Sequence, residues 1–426
     1  MPAPGPPSTA RGARTNGWFP GAGRPRGGHG PGAERPIGTW AFAGVAIASL
    51  GGPLALAALI VPSVLEDAIT SGGLATLAAA VVFVAPLAIW LRYVGHLRAS
   101  ADPTRPGAAG GLYTFVQEAV GPRIALVQAA VWTLSYLLYL VYTTIQIVYD
   151  LVPQVLPGEA RYQTVLALAI PVAVAATMIA GRTAALVVIG AVAASQLVLG
   201  GILDGVTVAH LSFPLSSFGA SASAGSFAKG GAQASLLYIC AGLPLFLGGE
   251  LATPARTTRR VLIGAYLVTI VIVLLAVAPL AAAPGLARTD VPGVELAAQF
   301  SGTGLARAMA IGVAVSIAGV ILCEYLAVTR LAAAIGGWAT RRVSIAVGVI
   351  IVAAAPITLI DPDGIYNVLS RVSVTALWVS QLMVFAVFPR FAARRGLHPG
   401  LAWALTAVAS ALAVYGLYLA VVQPSS

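Results

Sequence analysis

The chain has 426 residues, of which 58% are hydrophobic and only 9% are charged, whereas a soluble globular protein carries about 25% charged residues. This composition excludes a water-soluble globular fold and indicates an integral membrane protein. The formal net charge of +10 would suit a nucleic-acid partner, but the basic residues lie mostly in short loops between apolar segments. Membrane topology explains that distribution, and no nucleic-acid partner is predicted.

Segments of 18 or more mostly apolar residues recur from Gly38 onward. Each is long enough to carry a helix across about 30 Å of hydrocarbon, whereas closed barrels would show strands of about ten residues with alternating polarity. We predict an all-α fold with eleven transmembrane helices, numbered in chain order as segments 1 to 11: 38–62, 74–95, 121–149, 162–180, 183–203, 232–250, 260–283, 305–329, 342–360, 366–388 and 400–422.

The remaining residues form one tail and short connections. Residues 1–36, rich in Gly, Pro and Arg, have too little apolar material to fold, so we expect a disordered cytoplasmic tail. Two five-helix halves would span 37–204 and 232–390, with an outer loop at 205–231 and an additional C-terminal helix within 391–426. The loops 204–231 and 284–304 are either covers for an outer vestibule or plain connectors.

Basic residues alternate in density from loop to loop. With the N-terminus in the cytoplasm, 19 of the 24 Lys and Arg residues lie on the cytoplasmic side, here called the arginine-rich side. Four lie on the opposite side (Arg161, Lys229, Arg288 and Arg307), and Arg371 lies within segment 10. This asymmetry predicts a multi-pass protein of the cytoplasmic (inner) membrane with its C-terminus outside.

Two segments are interrupted by helix-weakening residues. Segment 1 carries Gly51-Gly52-Pro53 at its middle, and segment 6 carries Gly242 and Pro244. The two segments cross in opposite directions and occupy corresponding positions in two five-helix halves. Such a pair indicates an inverted-repeat transporter with its binding site near the membrane midplane. The alternative is that these residues only kink the helices, since Gly and Pro are common in membrane helices.

Two motifs resemble the amino acid, polyamine and organocation permease superfamily. The first lies in PTRPGAAGGLYTFVQEAVGPRIALVQAAVWTLSYLLY (103–139), where the matching positions are Pro106, Gly110, Gly111, Tyr113, Phe115, Gly121, Pro122 and Trp132. The second is an acidic residue, three residues and a proline, followed by basic residues: Glu250 to Pro254, then Arg256, Arg259 and Arg260.

The resemblance implies the inverted-repeat fold of the sodium-coupled leucine transporter, with helices 1 and 6 broken. It also implies secondary transport of an amino acid or related small amine. Two details depart from the superfamily pattern: the usual Gly-x-Gly of helix 1 is replaced by Ser49-Leu50-Gly51-Gly52-Pro53, and the break in segment 6 lies two residues closer to Glu250 than the pattern implies. The superfamily usually has twelve helices, whereas we predict eleven.

The breaks supply candidate substrate-binding groups from the backbone. Ala48, Ser49, Leu50, Gly51 and Gly52 would present N–H groups to a carboxylate at the positive end of a half-helix. Carbonyl groups of Cys240, Ala241 and Gly242 would face the ammonium group. The alternative is a dry kink that neighbouring side chains fill.

Three aromatic residues of segment 3 recur at helical spacing. Trp132, Tyr136 and Tyr139 share one face near mid-depth, where they either close over a substrate or form ordinary packing between helices.

Three polar residues are candidates for coupling or gating. Glu324 lies within segment 8, where an ionised carboxylate costs about 3 kcal/mol, so it should face a cavity or a partner such as Arg330. It is the candidate for proton coupling. Ser316 lacks the neighbouring hydroxyl of superfamily sodium sites, which favours H⁺ over Na⁺. Arg371 either gates the outer vestibule, binds an anionic substrate group or extends to the surface.

Two other functional classes compete with transport. A membrane-embedded transferase needs a compact polar or metal-binding cluster, but the four histidines show no ligand spacing. A channel would favour a charged or carbonyl filter with repeat symmetry, which is not visible. The sequence therefore predicts no catalytic residue, metal site or organic cofactor, and it leaves the oligomeric state open.

Overall fold

A computed structural model of the chain describes residues 36–60, 71–95, 111–155, 160–213, 215–219, 223–280, 283–287, 289 and 291–422. Within these ranges the chain is helical, apart from a parallel bridge between Ile37 and Leu251. Residues 1–35 of the predicted tail lie outside the described residues, as do Pro106 and Gly110 of the first resemblance motif.

Where the structure describes them, all eleven predicted segments are helical. Ten helices among the described residues are long and apolar enough to cross a membrane: Thr39–Ala58, Gly72–Val94, Pro122–Leu151, Tyr162–Ile179, Arg182–His210, Pro254–Leu280, Thr303–Gly336, Thr340–Leu359, Pro362–Arg394 and Pro399–Val422. They correspond to segments 1–5 and 7–11. Segment 6 consists of the α-helix Ala224–Ile239 and the 3₁₀-helix Cys240–Glu250. Shorter helices cover Gly111–Val120, Pro284–Ala287 and Pro292–Ser301.

The predicted boundaries were wrong around the two longest connections. Segment 5 continues to His210 and segment 6 begins at Ala224, so the predicted loop 204–231 is mostly helical. The helix continues past residue 204 because Asp204 is buried against protein rather than exposed to hydrocarbon. The second connection, 284–304, contains two short helices, of which Pro292–Ser301 packs against segments 1, 5 and 8.

The interruption of segment 1 has a backbone cause. Its first helix ends at Ser49, and the chain turns at Gly51 and Gly52, whose φ angles of +83° and +69° are unfavourable for residues with a side chain. A second helical turn starts at Pro53, which has no N–H group to join a continuous ladder. The residues that suggested a damaged helix therefore form a defined turn between two half-helices.

Segment 6 changes helix type rather than turning sharply. Its α-helix ends at Ile239, and an eleven-residue 3₁₀-helix with Pro244 inside it continues to Glu250. Runs of this type longer than three to four residues are uncommon, and a 3₁₀ stretch within a helix often marks a hinge. The change begins at Cys240, two residues before the predicted Gly242.

Burial separates the central segments from the peripheral ones. In the most apolar windows of segments 1 and 8, 78% of the residues are buried, against 28% in segments 4 and 11. Segments 1 and 8 therefore form the centre, with segments 3, 5 and 6 packed against them. Segments 1 and 5 approach each other closely where Gly44 faces Gly190. A Cβ added at Gly44 would lie only 3.1 Å from the Gly190 Cα, so small residues permit this helix packing.

A buried charge cluster joins four elements at the arginine-rich side. Glu250, at the end of segment 6, pairs with Arg182 at the start of segment 5 and Arg330 in segment 8, each at 2.8 Å. Its backbone carbonyl accepts a hydrogen bond of 2.9 Å from the N–H of Ile37, just before segment 1. These contacts hold the arginine-rich ends of the central segments together.

Candidate functional site

The two interrupted segments lie against each other. The first half-helix of segment 1 packs on the 3₁₀ part of segment 6, and both contact segment 8. Segment 3 also contacts segment 8, and Tyr136 brings it to segment 6 through a hydroxyl that donates to the Cys240 Sγ at 3.9 Å. Most of the residues that the sequence singled out therefore meet in one region.

Two of the five predicted backbone donors of segment 1 lie inside its first helix. Ala48 and Ser49 lie in the last turn of an α-helix, where N–H groups bond within the helix and carbonyl groups are left over. The prediction that these two residues present N–H groups was wrong for this reason. The Ser49 hydroxyl bonds back to the Ala46 carbonyl at 3.0 Å. Leu50, Gly51 and Gly52 form the turn itself.

The predicted aromatic face of segment 3 reaches the 3₁₀ part of segment 6. The Trp132 ring lies 4.4 Å from the ring of Tyr136 and 4.5 Å from the ring of Phe246. The Tyr139 ring contacts the Tyr142 ring edge-on, with centroids 5.1 Å apart and an angle of 65° between the planes. Trp132 and Tyr136 are buried, whereas Tyr139 is half-buried.

Glu324 is fully buried, and neither carboxylate oxygen has a hydrogen-bond partner. It is close enough to interact electrostatically with the hydroxyls of Tyr136, Tyr139 and Tyr142 and with the thiol of Cys240. The alternative in which Arg330 neutralises this carboxylate was wrong, because the Arg330 guanidinium pairs with Glu250.

Ser316 lies about two helical turns before Glu324 on segment 8, beside Gln196, a residue that the sequence did not single out. The Gln196 side chain of segment 5 donates from Nε2 to the Ser316 carbonyl at 3.5 Å. It also packs on the segment 1 turn, since a Cβ at Gly52 would lie 2.5 Å from the same Nε2. The Ser316 Oγ and the Gln196 Oε1 are buried without partners. Gln196 therefore links segments 1, 5 and 8.

Arg371 does not join these residues. Its side chain is exposed and donates from Nη2 to the carbonyl of Val421, near the end of segment 11. Of the three predicted roles of Arg371, this position matches extension to the surface, because its guanidinium group binds the neighbouring peripheral segment 11.

Three further aromatic residues belong to the region. Phe246 contacts Trp132. The rings of Tyr142 and Tyr366 have centroids 5.4 Å apart and an angle of 88° between their planes. Tyr142 follows Tyr139 at helical spacing, so the sequence contained a signal for it. Phe246 and Tyr366 come from other segments, and only the tertiary structure brings them near. Among the described residues there is no group of three or more His, Cys, Asp or Glu that could hold a metal ion.

The chain resembles known proteins in its structure but not detectably in its sequence. No protein-family model and no curated protein sequence matches the chain. Among solved structures, the chain is similar to MhsT, crystallised in complex with L-phenylalanine. The two share 15% identity with a TM-score of 0.57, and the match covers 91% of this chain and 100% of the MhsT chain. This likeness confirms the predicted fold, which is of the leucine-transporter type.

Proposed function

We propose that the chain is a secondary active transporter that moves an amino acid or related small amine across the cytoplasmic membrane by alternating access. We assign it to the amino acid, polyamine and organocation permeases on the two motifs described above. The observation that carries the proposal is the packing of two interrupted segments beside a buried carboxylate without a partner. Interrupted helices leave backbone N–H and C=O groups free near the membrane midplane, whereas a continuous helix uses these groups in its own hydrogen bonds.

The substrate would bind between segments 1 and 6, with segments 3 and 8 beside it. Leu50, Gly51 and Gly52 would contact one polar end of the substrate, and the carbonyls that end the first half-helix of segment 1 would contact the other. Carbonyls of Cys240, Ala241 and Gly242 would line the opposite wall. Trp132, Tyr136 and Tyr139 would cover the apolar part of the substrate, because their rings extend from segment 3 to segment 6.

Alternating access would use the charge cluster at Glu250. In the described conformation, Glu250 ties segments 5, 6 and 8 together, and its carbonyl holds Ile37. We take the arginine-rich side as cytoplasmic, so opening toward the cytoplasm requires these contacts to separate. Glu324 is our candidate for coupling transport to H⁺, and Ser316 without a second hydroxyl makes Na⁺ the less favoured ion.

The test is counterflow in proteoliposomes. Purified protein is reconstituted and loaded with unlabelled compounds, and the entry of radiolabelled amino acids and amines is followed. We expect at least one compound to exchange faster than in protein-free vesicles. If a folded protein exchanges none across a broad panel, the transport proposal is overturned, and a membrane-embedded transferase or a channel becomes the better hypothesis.

The two cysteines allow a direct test of the site. Cys240 is half-buried at the segment 6 interruption, whereas Cys323 is buried against the Val45 carbonyl at 3.7 Å. In a Cys323→Ala background, a small cationic methanethiosulfonate reagent should therefore inhibit exchange by modifying Cys240. The compound that exchanges should slow this inhibition several-fold.

The matched control is the variant that also carries Cys240→Ala, which should resist the reagent. Modification of Cys240 at an unchanged rate in saturating substrate would place the substrate elsewhere.

A further inference from the structure

Glu324 is a carboxyl group without a partner at the centre of the protein. It is fully buried, and both of its oxygens lack hydrogen-bond partners. Buried polar groups in folded proteins are nearly always paired, and an isolated carboxylate in a low-dielectric interior is strongly unfavourable. The carboxyl group therefore has to be neutralised, either by its own proton or by a cation bound beside it.

The groups that face Glu324 cannot supply that cation. From segment 3 they are the hydroxyls of Tyr136, Tyr139 and Tyr142, and from segment 6 the Cys240 thiol. On its own segment the neighbour is Cys323. No basic side chain in the described part of the chain interacts with this carboxylate. The next arginine along segment 8, Arg330, pairs with Glu250.

The aromatic rings around the carboxylate suit an ammonium group. Tyr139, Tyr142 and Tyr366 form a series of edge-to-face rings with centroid distances of 5.1 and 5.4 Å. Ring faces attract cations, and the attraction grows when the site excludes water. A carboxylate beside several tyrosine rings suits an alkyl- or arylalkylammonium ion.

Charge balance selects between amines and amino acids. A monocation that pairs with ionised Glu324 leaves the site neutral, as does a proton on the same carboxylate. A zwitterion that pairs with ionised Glu324 leaves one net negative charge at the midplane, which is costly. On one ionised carboxylate, a proton or a monocation therefore leaves the site neutral, whereas a zwitterion leaves it neutral only when the carboxyl group is also protonated.

We propose that Glu324 is the counter-ion for the ammonium group of a monocationic amine, and that the amine and a proton exchange for each other on this one carboxylate. The inference rests on the proposed transport function and deepens it. When the ammonium binds, the carboxyl O–H bond breaks and the proton leaves to the open aqueous side. One positive charge then crosses in each direction, so the exchange is electroneutral.

The test compares decarboxylated amines with their parent amino acids. Proteoliposomes with an acidic interior receive radiolabelled phenethylamine or phenylalanine at neutral external pH, while an internal dye reports pH. After subtraction of the passive uptake and the proton consumption of protein-free vesicles, we expect phenethylamine uptake at least tenfold above that of phenylalanine, with one internal proton released per amine. The rate should be unchanged by a valinomycin-imposed membrane potential.

Two variants assign the effect to the carboxylate. Glu324→Gln should abolish proton-driven amine uptake, while Glu324→Asp should retain part of it because the charge remains. Glu324→Gln with undiminished proton-driven uptake overturns the inference, and so does wild-type uptake of phenylalanine without phenethylamine. In that second case the transport proposal stands. If the wild-type protein moves no amine and no amino acid, the transport proposal itself fails.

Misfolding of the glutamine variant is checked separately. Size-exclusion elution and thermal unfolding of both variants are compared with wild type. If Glu324→Gln is unfolded, the Asp variant carries the decision, since the inference requires its uptake to stay coupled to proton release. An Asp variant that takes up amine without releasing protons overturns the inference.

Discussion

Gly52→Ala is expected to reduce counterflow by about five- to thirtyfold while the protein still inserts and elutes as a folded species. The φ angle of +69° at this position costs a residue with a Cβ about 1–2 kcal/mol. The new Cβ would also lie within 2.7 Å of three Gln196 side-chain atoms. The turn and the link to segments 5 and 8 would therefore both be disturbed.

Three comparisons isolate the cause of that loss. Gly201→Ala on segment 5 is the matched control, because no atom lies within 4 Å of its new Cβ and its backbone is helical. Gln196→Ala added to Gly52→Ala should recover part of the activity by removing the overlap. Gly51→Leu should abolish transport, because it fills the turn without adding charge. Wild-type exchange in Gly52→Ala and Gly51→Leu would show that the interruption is only a kink.

The second large effect is expected for Glu250→Gln. This change removes the carboxylate that the Arg182 and Arg330 guanidinium groups share at 2.8 Å. Breaking a buried ion pair on one side typically costs about 3–5 kcal/mol, because buried charge is left uncompensated. We expect a lower free energy of unfolding, seen as a clear fall in the thermal unfolding midpoint in detergent.

A surface ion pair of the same chemistry provides the control. Glu118 pairs with Arg395 at 2.6 Å, but both side chains are about 40% exposed (40% and 38%). Glu118→Gln should therefore cost at most about 1 kcal/mol. Equal shifts in the two unfolding midpoints would contradict the structural role assigned to Glu250.

The general fold could be predicted from the sequence because lipid imposes simple rules. A membrane core demands long apolar helices, and Gly51-Gly52-Pro53 can hardly continue one. Helix boundaries were harder to predict where polar residues are buried. Asp204 lies inside segment 5, and the change in segment 6 begins at Cys240, because tertiary contacts decide where a helix ends.

The site was only partly predictable, since its residues come from distant parts of the chain. The sequence indicated Tyr136, Cys240 and Glu324 as three separate candidates. Only the packing of segments 3, 6 and 8 shows that they are neighbours. Gln196 carries no sequence signal of its role, because one amide in an apolar helix resembles many others. The sequence also offered Arg330 as a partner for Glu324, whereas the fold assigns it to Glu250, which lies 80 positions earlier.

The central claim is that the substrate binds between segments 1 and 6, and a structure of the protein with the compound identified by counterflow tests it most directly. We expect ligand density between the turn at Gly51 and Gly52 and the segment 6 interruption at Cys240, with an amine nitrogen near the Glu324 carboxylate. Density for the transported compound elsewhere, with both interruptions closed and dry, would contradict it.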